Sequence, residues 1–314
     1  MTTFSLVTPA HNEASNLPLM YDRLIVALKG IDWEWVVVDD NSTDETFDVI
    51  TALSKKNKRV KGIRLARNAG SHLAILCGLE LAASECMAVM ASDLEDPPEL
   101  LPEMIKNWKE GSKIVWATRK KSAQKSTTYR FFAQAYHIFT RKFVGLRGMP
   151  KGGADFFLID KTVAEHVCRF KEKNLSLFAL VAWLGMESTT VVYEKQARIH
   201  GHSSWTFGKR VKLVLDTLIS FSHLPLRLMS LIGVCAVTIG FGLGLKILYN
   251  AYFGTPPEGW SSLAIIILFL GGAQIIMLGI LGEYLWRTLD EARDRPRFLV
   301  DKVVGIKPEE KTKP

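Results

Sequence analysis

Two stretches of this chain carry almost no charge for longer than a helix needs to cross a hydrocarbon layer. From Leu228 to Tyr249 the one charged side chain is Lys246, and from Ser261 to Gly282 there is none. About 20 apolar residues suffice to span a bilayer as a helix. Lys246 stands near the end of its stretch, where its ammonium can reach the headgroups. Tyr249, Tyr252, Trp260, Tyr284 and Trp286 cluster at the ends, where aromatic belts form. The alternative is a pair of buried core helices, which two adjacent uncharged runs of this length disfavour. Concentration of apolar residues here explains how the chain combines 23% charged residues with a mean hydropathy of +0.11.

The loop between the stretches, Phe253 to Trp260, has no Lys or Arg, whereas Arg227, Arg287, Arg293, Arg295 and Arg297 flank them. The positive-inside rule then puts both flanks in the cytoplasm. The expectation is an integral protein of the cytoplasmic membrane with both termini cytoplasmic. Its spans are expected at about 228–250 and 261–285, within a unit 227–288. Gly240-x-x-x-Gly244 offers a small-residue face for helix packing. The segment after Arg297, within a cytoplasmic tail 289–314, reads as a charged, peripheral extension. The N-terminus lacks the basic and apolar regions of a signal peptide. Four scattered cysteines without a C-x-x-C pair indicate reduced thiols and no zinc site.

Before the apolar stretches, β-branched runs alternate with helix-period segments. Phe4–Thr8, Trp35–Val38, Val60–Leu65, Cys86–Ala91 and Lys113–Ala117 read as strands. The helical segments are Ala14–Lys29, Thr43–Lys55, Ser71–Ala83 and Pro98–Trp108. This alternation predicts an α/β domain with a mainly parallel sheet, over about 1–205. Such sheets bind ligands at the carboxyl ends of their strands. Polar groups follow all five: Pro9-Ala-His-Asn-Glu13, Asp39-Asp-Asn-Ser-Thr-Asp44, Arg67-Asn-Ala-Gly70, Ser92-Asp-Leu-Glu-Asp-Pro-Pro98 and Thr118-Arg-Lys-Lys121. Each could be a cap or turn taken alone; five at one rim point to a site. No phosphate-cradling glycine loop follows the first strand, which excludes a P-loop or dinucleotide site. A nucleotide would then be held by carboxylates, with Asp39 or Asp40 accepting from a base N–H. Asp93 is an oxygen ligand suited to Mg²⁺ or Mn²⁺ with a diphosphate as co-ligand.

In this order, Pro-x-x-Asn-Glu, Val-Val-Asp-Asp-x-Ser-x-Asp, Arg-Asn-x-Gly and Asp-Leu-x-Asp-Pro-Pro-Glu resemble the family 2 glycosyltransferases, which have the type A, Rossmann-like fold. More narrowly the chain is similar to the polyprenyl-phosphate glycosyltransferases, across essentially its whole length. The resemblance implies that Pro9, His11, Asn12, Glu13, Asp39, Asp40 and Arg67 hold the nucleoside diphosphate. It implies that Asp93 and Glu95 bind the metal and that Arg119 meets phosphate. The family's metal motif commonly reads Asp-x-Asp-x-Gln; here it is Ala91-Ser-Asp93-Leu-Glu95. Asp155 matches a retained Asp and would orient the sugar or act as base, while Phe157 stands where the family has Arg. Arg198, Ser203 and Ser204 match a phosphate-contacting segment, with Ser204 in place of Lys. The implied reaction moves a sugar from a UDP- or GDP-sugar to polyprenyl phosphate, with metal assistance and inversion. A non-catalytic binding relative and an enzyme with another lipid acceptor, such as a diacylglycerol, are the alternatives.

From Arg119 to Lys151 there are nine Lys or Arg and no Asp or Glu. These nine exceed the net charge of +8, so the rest of the chain is close to neutral. Aromatic residues alternate with the charges, predicting an amphipathic helix at about 127–146 that includes Arg130; 206–226 reads as a second interfacial helix. Both would lie on membrane lipid and deliver the acceptor phosphate. No nucleic-acid module accompanies the basic strip. The resemblance and the small-residue faces of the spans suggest a homo-oligomer.

Overall fold

A computed structural model describes residues 3–120, 148–150, 154, 156–170, 176–194, 224–254 and 259–306. The chain divides into two compact units, one of residues 1–216 with 296–314 and the other of residues 217–295.

The first unit is an α/β layer. Its strands are β1 (Phe4–Ala10), β2 (Trp33–Asp39), β3 (Val60–Leu65), β4 (Cys86–Val89), β5 (Ile114–Arg119), β6 (Phe156–Asp160), β7 (Ser188–Tyr193) and β8 (Val300–Val304). Its helices are α1 (Asn16–Ala27), α2 (Thr46–Lys56), α3 (Ser71–Leu81), α4 (Leu101–Lys109), α5 (Lys161–Arg169) and α6 (Leu177–Trp183). The sheet order is β7-β5-β6-β4-β1-β2-β3-β8. β1 pairs in parallel with both β2 and β4, and β2 with β3. β2 is buried at all seven positions, as a strand covered on both faces must be. Two carboxylates are buried in it: Asp39 at its end, and Glu34, which is satisfied by Lys61 Nζ at 2.9 Å, by the Ala83 N–H at 3.1 Å and by the Ser5 hydroxyl.

Strand order places β4 on the opposite side of β1 from β2. Right-handed crossovers then require α1 and α2 on one face and α3 on the other. The packing agrees: α1 lies against α2, and α3 against α5. The chain reverses its direction of winding between β1 and β4, the position where open sheets of this kind form a ligand crevice.

Two features depart from the sequence reading. β6 enters antiparallel between β4 and β5, so β5 is not a neighbour of β4. The segment after Arg297, expected as a peripheral tail, instead supplies β8, which pairs antiparallel with β3. Val300-Asp-Lys-Val-Val304 is short and two of its five residues are charged, so its pattern alone does not mark a strand.

Asp160 closes β6 and caps α5, accepting from the Thr162 N–H at 3.0 Å and from Trp108 Nε1 at 2.9 Å. Lys113 Nζ lies 3.2 Å away. Burial alone would raise this carboxyl. The bonds from Thr162, Trp108 and Lys113 outweigh it and bring the pKa down to about 2. Its folded pKa lies below the ordinary value, so the stabilisation is present above about pH 4 and disappears as pH falls toward 2. Asp160→Ala is expected to cost about 1–2 kcal/mol at neutral pH, with the difference from wild type shrinking in acid; urea unfolding at several pH values measures it.

The second unit consists of α7 (Leu224–Tyr252) and α8 (Trp260–Ala292), which pack on one another. At 1.5 Å per residue they are about 44 and 50 Å long. Met229–Lys246 and Phe269–Ala292 are apolar enough to cross a membrane by length and composition, and neither is buried within the chain. Val237, Phe241, Phe269 and Ile275 are each 70% exposed or more.

Candidate active site

The rim is built where β1, β2, β3 and β4 end side by side. Ala10 closes β1 with its carbonyl accepting from the Asp40 N–H at 2.8 Å, which locks the first two loops together. Asn12 follows with a left-handed backbone at φ 59°, a conformation Asn tolerates better than most residues. Its N–H donates to Ser42 Oγ at 3.0 Å, and its side-chain Oδ1 accepts from the Thr43 N–H at 2.9 Å. The Glu13 N–H donates to Thr46 Oγ1 at 2.9 Å, and the Glu13 carboxylate accepts from Asn16 Nδ2 at 2.6 Å. The Asn-Glu and Asp-Asp motifs thus form one hydrogen-bonded surface, with the exposed His11 and Asn12 at its edge.

The two adjacent aspartates do different work. Asp39 is fully buried, and its Oδ1 accepts from the Ser42 N–H at 2.9 Å. Arg64 Nε stands 3.7 Å from its other oxygen, and Arg64 Nη2 donates to the Ser42 carbonyl at 3.1 Å. Asp40 reaches across to the loop after β3. Its Oδ1 accepts from the Ala69 N–H at 2.7 Å and its Oδ2 from the Gly70 N–H at 2.9 Å. His11 Nδ1 lies 3.0 Å from the Asp40 carbonyl and 3.4 Å from the Asn68 amide. Burial pushes the Asp40 carboxyl above its ordinary range, with Asp39 adding to the effect; the two N–H bonds and His11 pull it back. Keeping two carboxylates adjacent at a buried rim costs stability, a common signature of a working site. Each carboxylate oxygen has a second lone pair, so Asp40 can still accept from a ligand N–H. Arg67 is exposed at the same loop.

The loop after β4 carries the candidate metal ligands. Leu94 has φ 58° and is almost fully buried. A branched residue in that region is strained, and its side chain anchors the turn in the core. Asp93 and Glu95 flank it, half-exposed, with the Glu95 N–H donating to Asp93 Oδ1 at 3.2 Å. Ser92 Oγ donates to the Pro9 carbonyl at 3.4 Å, joining this loop to the end of β1. The next acid, Asp96, is buried and accepts from the Tyr193 hydroxyl, which ties the loop to β7. Among the described residues no three His, Cys, Asp or Glu side chains form a metal cage. Two carboxylates completed by substrate phosphates suit Mg²⁺ or Mn²⁺, which are seldom held by all-protein cages. The residues present therefore fit such an ion.

Arg119 is exposed at the end of β5, two strands from β4 because β6 intervenes. Phe156, the first residue of β6, lies at the rim where β4 ends, since Phe157 pairs with Val89. Asp155, Arg130, Arg198, Ser203 and Ser204 lie outside the described residues, as do the expected helix at 127–146 and most of 206–226. Sequence reasoning missed Arg64, Thr46 and Tyr193 and gave no separate role to Ser42, Asn68 and Asp96 within their motifs; the contacts of all six cross between loops distant in sequence. It also missed His72, in the first turn of α3. Both its ring nitrogens are buried without a hydrogen bond, its ring meets Phe178 edge-on, and burial lowers its pKa.

The family model for glycosyl transferase family 2 matches residues 5–168. The chain belongs to glycosyl transferase family 2. A Bacillus subtilis (strain 168) protein named uncharacterized glycosyltransferase YkcC is 36% identical over 308 residues, covering 96% of this chain and 94% of its own. The SfII prophage-derived bactoprenol glucosyl transferase of Shigella flexneri is 32% identical over 301 residues, covering 95% and 97%. Among solved structures, glucosyl-3-phosphoglycerate synthase from Mycobacterium tuberculosis in complex with Mg²⁺ and uridine diphosphate superimposes with a TM-score of 0.51. It is 16% identical, covering 70% of this chain and 79% of that one. This likeness identifies the type A glycosyltransferase fold, with its mainly parallel Rossmann-like sheet. The family 2 chain described here is thus a glycosyltransferase with two apolar C-terminal helices.

Proposed function

We propose that this glycosyltransferase moves a sugar from a UDP- or GDP-sugar to polyprenyl phosphate at the cytoplasmic face of a membrane. The observation that carries the reading is that one sheet holds both the acidic rim and β8, the strand formed after α7 and α8. A sheet lies on one side of a bilayer, so a chain that leaves and rejoins it crosses an even number of times. Two crossings by α7 and α8 would satisfy this, and the Arg-rich flanks support a cytoplasmic side for the sheet. The relatives named bactoprenol glucosyl transferase span nearly the whole chain and support the same class of acceptor.

In the proposed reaction an oxygen of the polyprenyl phosphate attacks the anomeric carbon and the bond to the nucleoside diphosphate breaks. The electron pair leaves on the diphosphate, and inversion follows from in-line attack. The acceptor is already an anion, so no hydroxyl proton needs removal. The main demand is to bring two anions together and stabilise the departing charge. Asp40, His11, Asn12 and Glu13, with Asp39 and Pro9 behind them, would hold the nucleoside. Arg67 would meet the diphosphate. Asp93 and Glu95 would hold Mg²⁺ or Mn²⁺, which when bound acts as a Lewis acid on the diphosphate. Arg119, Arg130, Arg198, Ser203 and Ser204 would receive the acceptor phosphate, and Asp155 would orient the sugar. The segments 127–146 and 206–226 would lie on lipid. Gly240 and Gly244 have open space where a side chain would stand, which leaves room for close helix approach in a homo-oligomer.

A non-catalytic binding role is the second reading, favoured by Phe157. It is fully buried, edge-on to Trp116 at 5.7 Å and to Phe178 at 5.1 Å, so the site gains no charge at that position. An assay offering polyprenyl phosphate and diacylglycerol together separates the acceptors. Product on the phosphate alone is expected; product on diacylglycerol would refute the acceptor assignment, and nucleotide binding without any product would favour the second reading.

A further inference from the structure

We propose that β8, the strand formed where the chain returns from its two apolar helices, is a positioning element of the nucleotide site. The inference rests on reading the rim as that site. β8 pairs Gly62 with Val304, Ile63 with Val303, Arg64 with Lys302 and Leu65 with Val300. The ladder continues one step further, with the Ala66 N–H donating to the Leu299 carbonyl at 2.8 Å. Three residues later, the N–H groups of Ala69 and Gly70 hold the Asp40 carboxylate. Arg64, within the paired stretch, sends its guanidinium to Asp39 and to the Ser42 carbonyl. Asp39 is therefore gripped by Arg64, which β8 pairs directly, and Asp40 by N–H groups that begin three residues beyond the last β8 bond. Without β8, β3 would be an edge strand, and edge strands are short of partners and prone to fray.

Two glycines show that the seat for β8 is built into the rest of the domain. A side chain at Gly62 would come within 2.3 Å of Ile50 and 2.6 Å of Val304, so its absence lets α2 and β8 close over β3. Gly305, at φ 73°, ends the strand in the left-handed region. A Cβ there would stand 2.5 Å from Ser54 Oγ and 2.7 Å from the Val60 carbonyl. Ahead of the strand, Arg297 fastens the returning chain. Its Nη2 pairs with Glu80 near the end of α3 and donates to the Cys168 carbonyl at 3.0 Å, and its Nη1 donates to the Phe170 carbonyl. The helix α3 is thus held at both ends: at Gly70 through the braced loop, and at Glu80 through Arg297.

The test uses the full chain in detergent, with wild type, Arg297→Ala, Arg297→Lys and Gly305→Val compared. None of these residues touches the rim. Three quantities are read: hydrogen exchange at the Ala69 and Gly70 amides, Kd for UDP and GDP with Mg²⁺, and the KM and kcat for the sugar donor. Gly305→Val should speed exchange at both amides and raise Kd and KM about tenfold, with kcat at saturating donor within about twofold, the pattern of lost ground-state binding. Arg297→Ala should do the same more weakly, and Arg297→Lys should recover part of the loss. Unchanged exchange and Kd in the folded variants would overturn the proposal, as would a fall in kcat at constant KM. If Gly305→Val does not fold, the Arg297 pair decides by the same criteria. If wild type binds neither nucleotide, the reading of the rim fails, and exchange at Ala69 and Gly70 still reports whether β8 braces the loop.

Discussion

Asp93→Ala should lower the rate of sugar transfer by at least about a thousandfold, roughly 4 kcal/mol of transition-state stabilisation, and leave the fold intact. Asp93 is half-exposed and lies beside the strained, core-anchored Leu94 rather than in the core itself. Its loss therefore removes little packing, and its bond within the turn, from the Glu95 N–H, is local. The charge that builds on a departing diphosphate must be met, and a carboxylate that holds a divalent cation is the group whose removal costs most. Initial rates at saturating donor, with thermal unfolding as the control, measure the effect. A folded variant within about fivefold of wild type would move the reacting centre away from the β4 loop.

Asp40→Asn should act on binding rather than on the chemical step. The carboxylate accepts from two N–H groups, at 2.7 and 2.9 Å. An amide offers one acceptor oxygen and would turn its NH₂ against the other N–H. The Ala69–Gly70 loop would loosen and a ligand N–H would lose its acceptor. A site built to hydrogen-bond its ligand loses heavily when one partner is made unable to pair. The expected result is a rise of about a hundredfold in the donor KM, near 2.7 kcal/mol, with a smaller change in kcat. Steady-state kinetics over a wide donor range separates the two terms. An unchanged KM would show that Asp40 serves the fold alone.

The parallel part of the domain was legible because β2, β4 and β5 contain continuous apolar runs, as strands buried on both faces do, and β1 and β3 interleave apolar and polar residues at strand spacing. Val60–Leu65 was bounded correctly from sequence, and the other four to within a few residues. The order of those strands was not legible, because pairing partners depend on contacts remote in sequence. The segment Phe156–Asp160 drew notice as a motif, and nothing local said that it would part β4 from β5. β8 escaped for a related reason: Asp301 and Lys302 interrupt its apolar pattern, and its seat depends on glycines at positions 62 and 305. At the site, the charged and Asn residues were visible as loop composition. Their division of labour was not, since Asp39 and Asp40 are adjacent in sequence yet bond to different loops. The basic strip from Arg119 to Lys151 explains the net charge of +8; apart from Arg119, Lys120 and Gly148–Pro150 it lies outside the described residues.

The most direct measurement is transfer of radiolabel from a nucleotide sugar to lipid. The full-length protein in detergent is given polyprenyl phosphate, Mg²⁺ or Mn²⁺, and a panel of labelled UDP- and GDP-sugars. The expected result is label in the organic phase with at least one donor, dependent on the phosphate-bearing lipid, on the divalent cation and on Asp93. No lipid-soluble product with any donor, from protein that is folded and binds nucleotide, would contradict it.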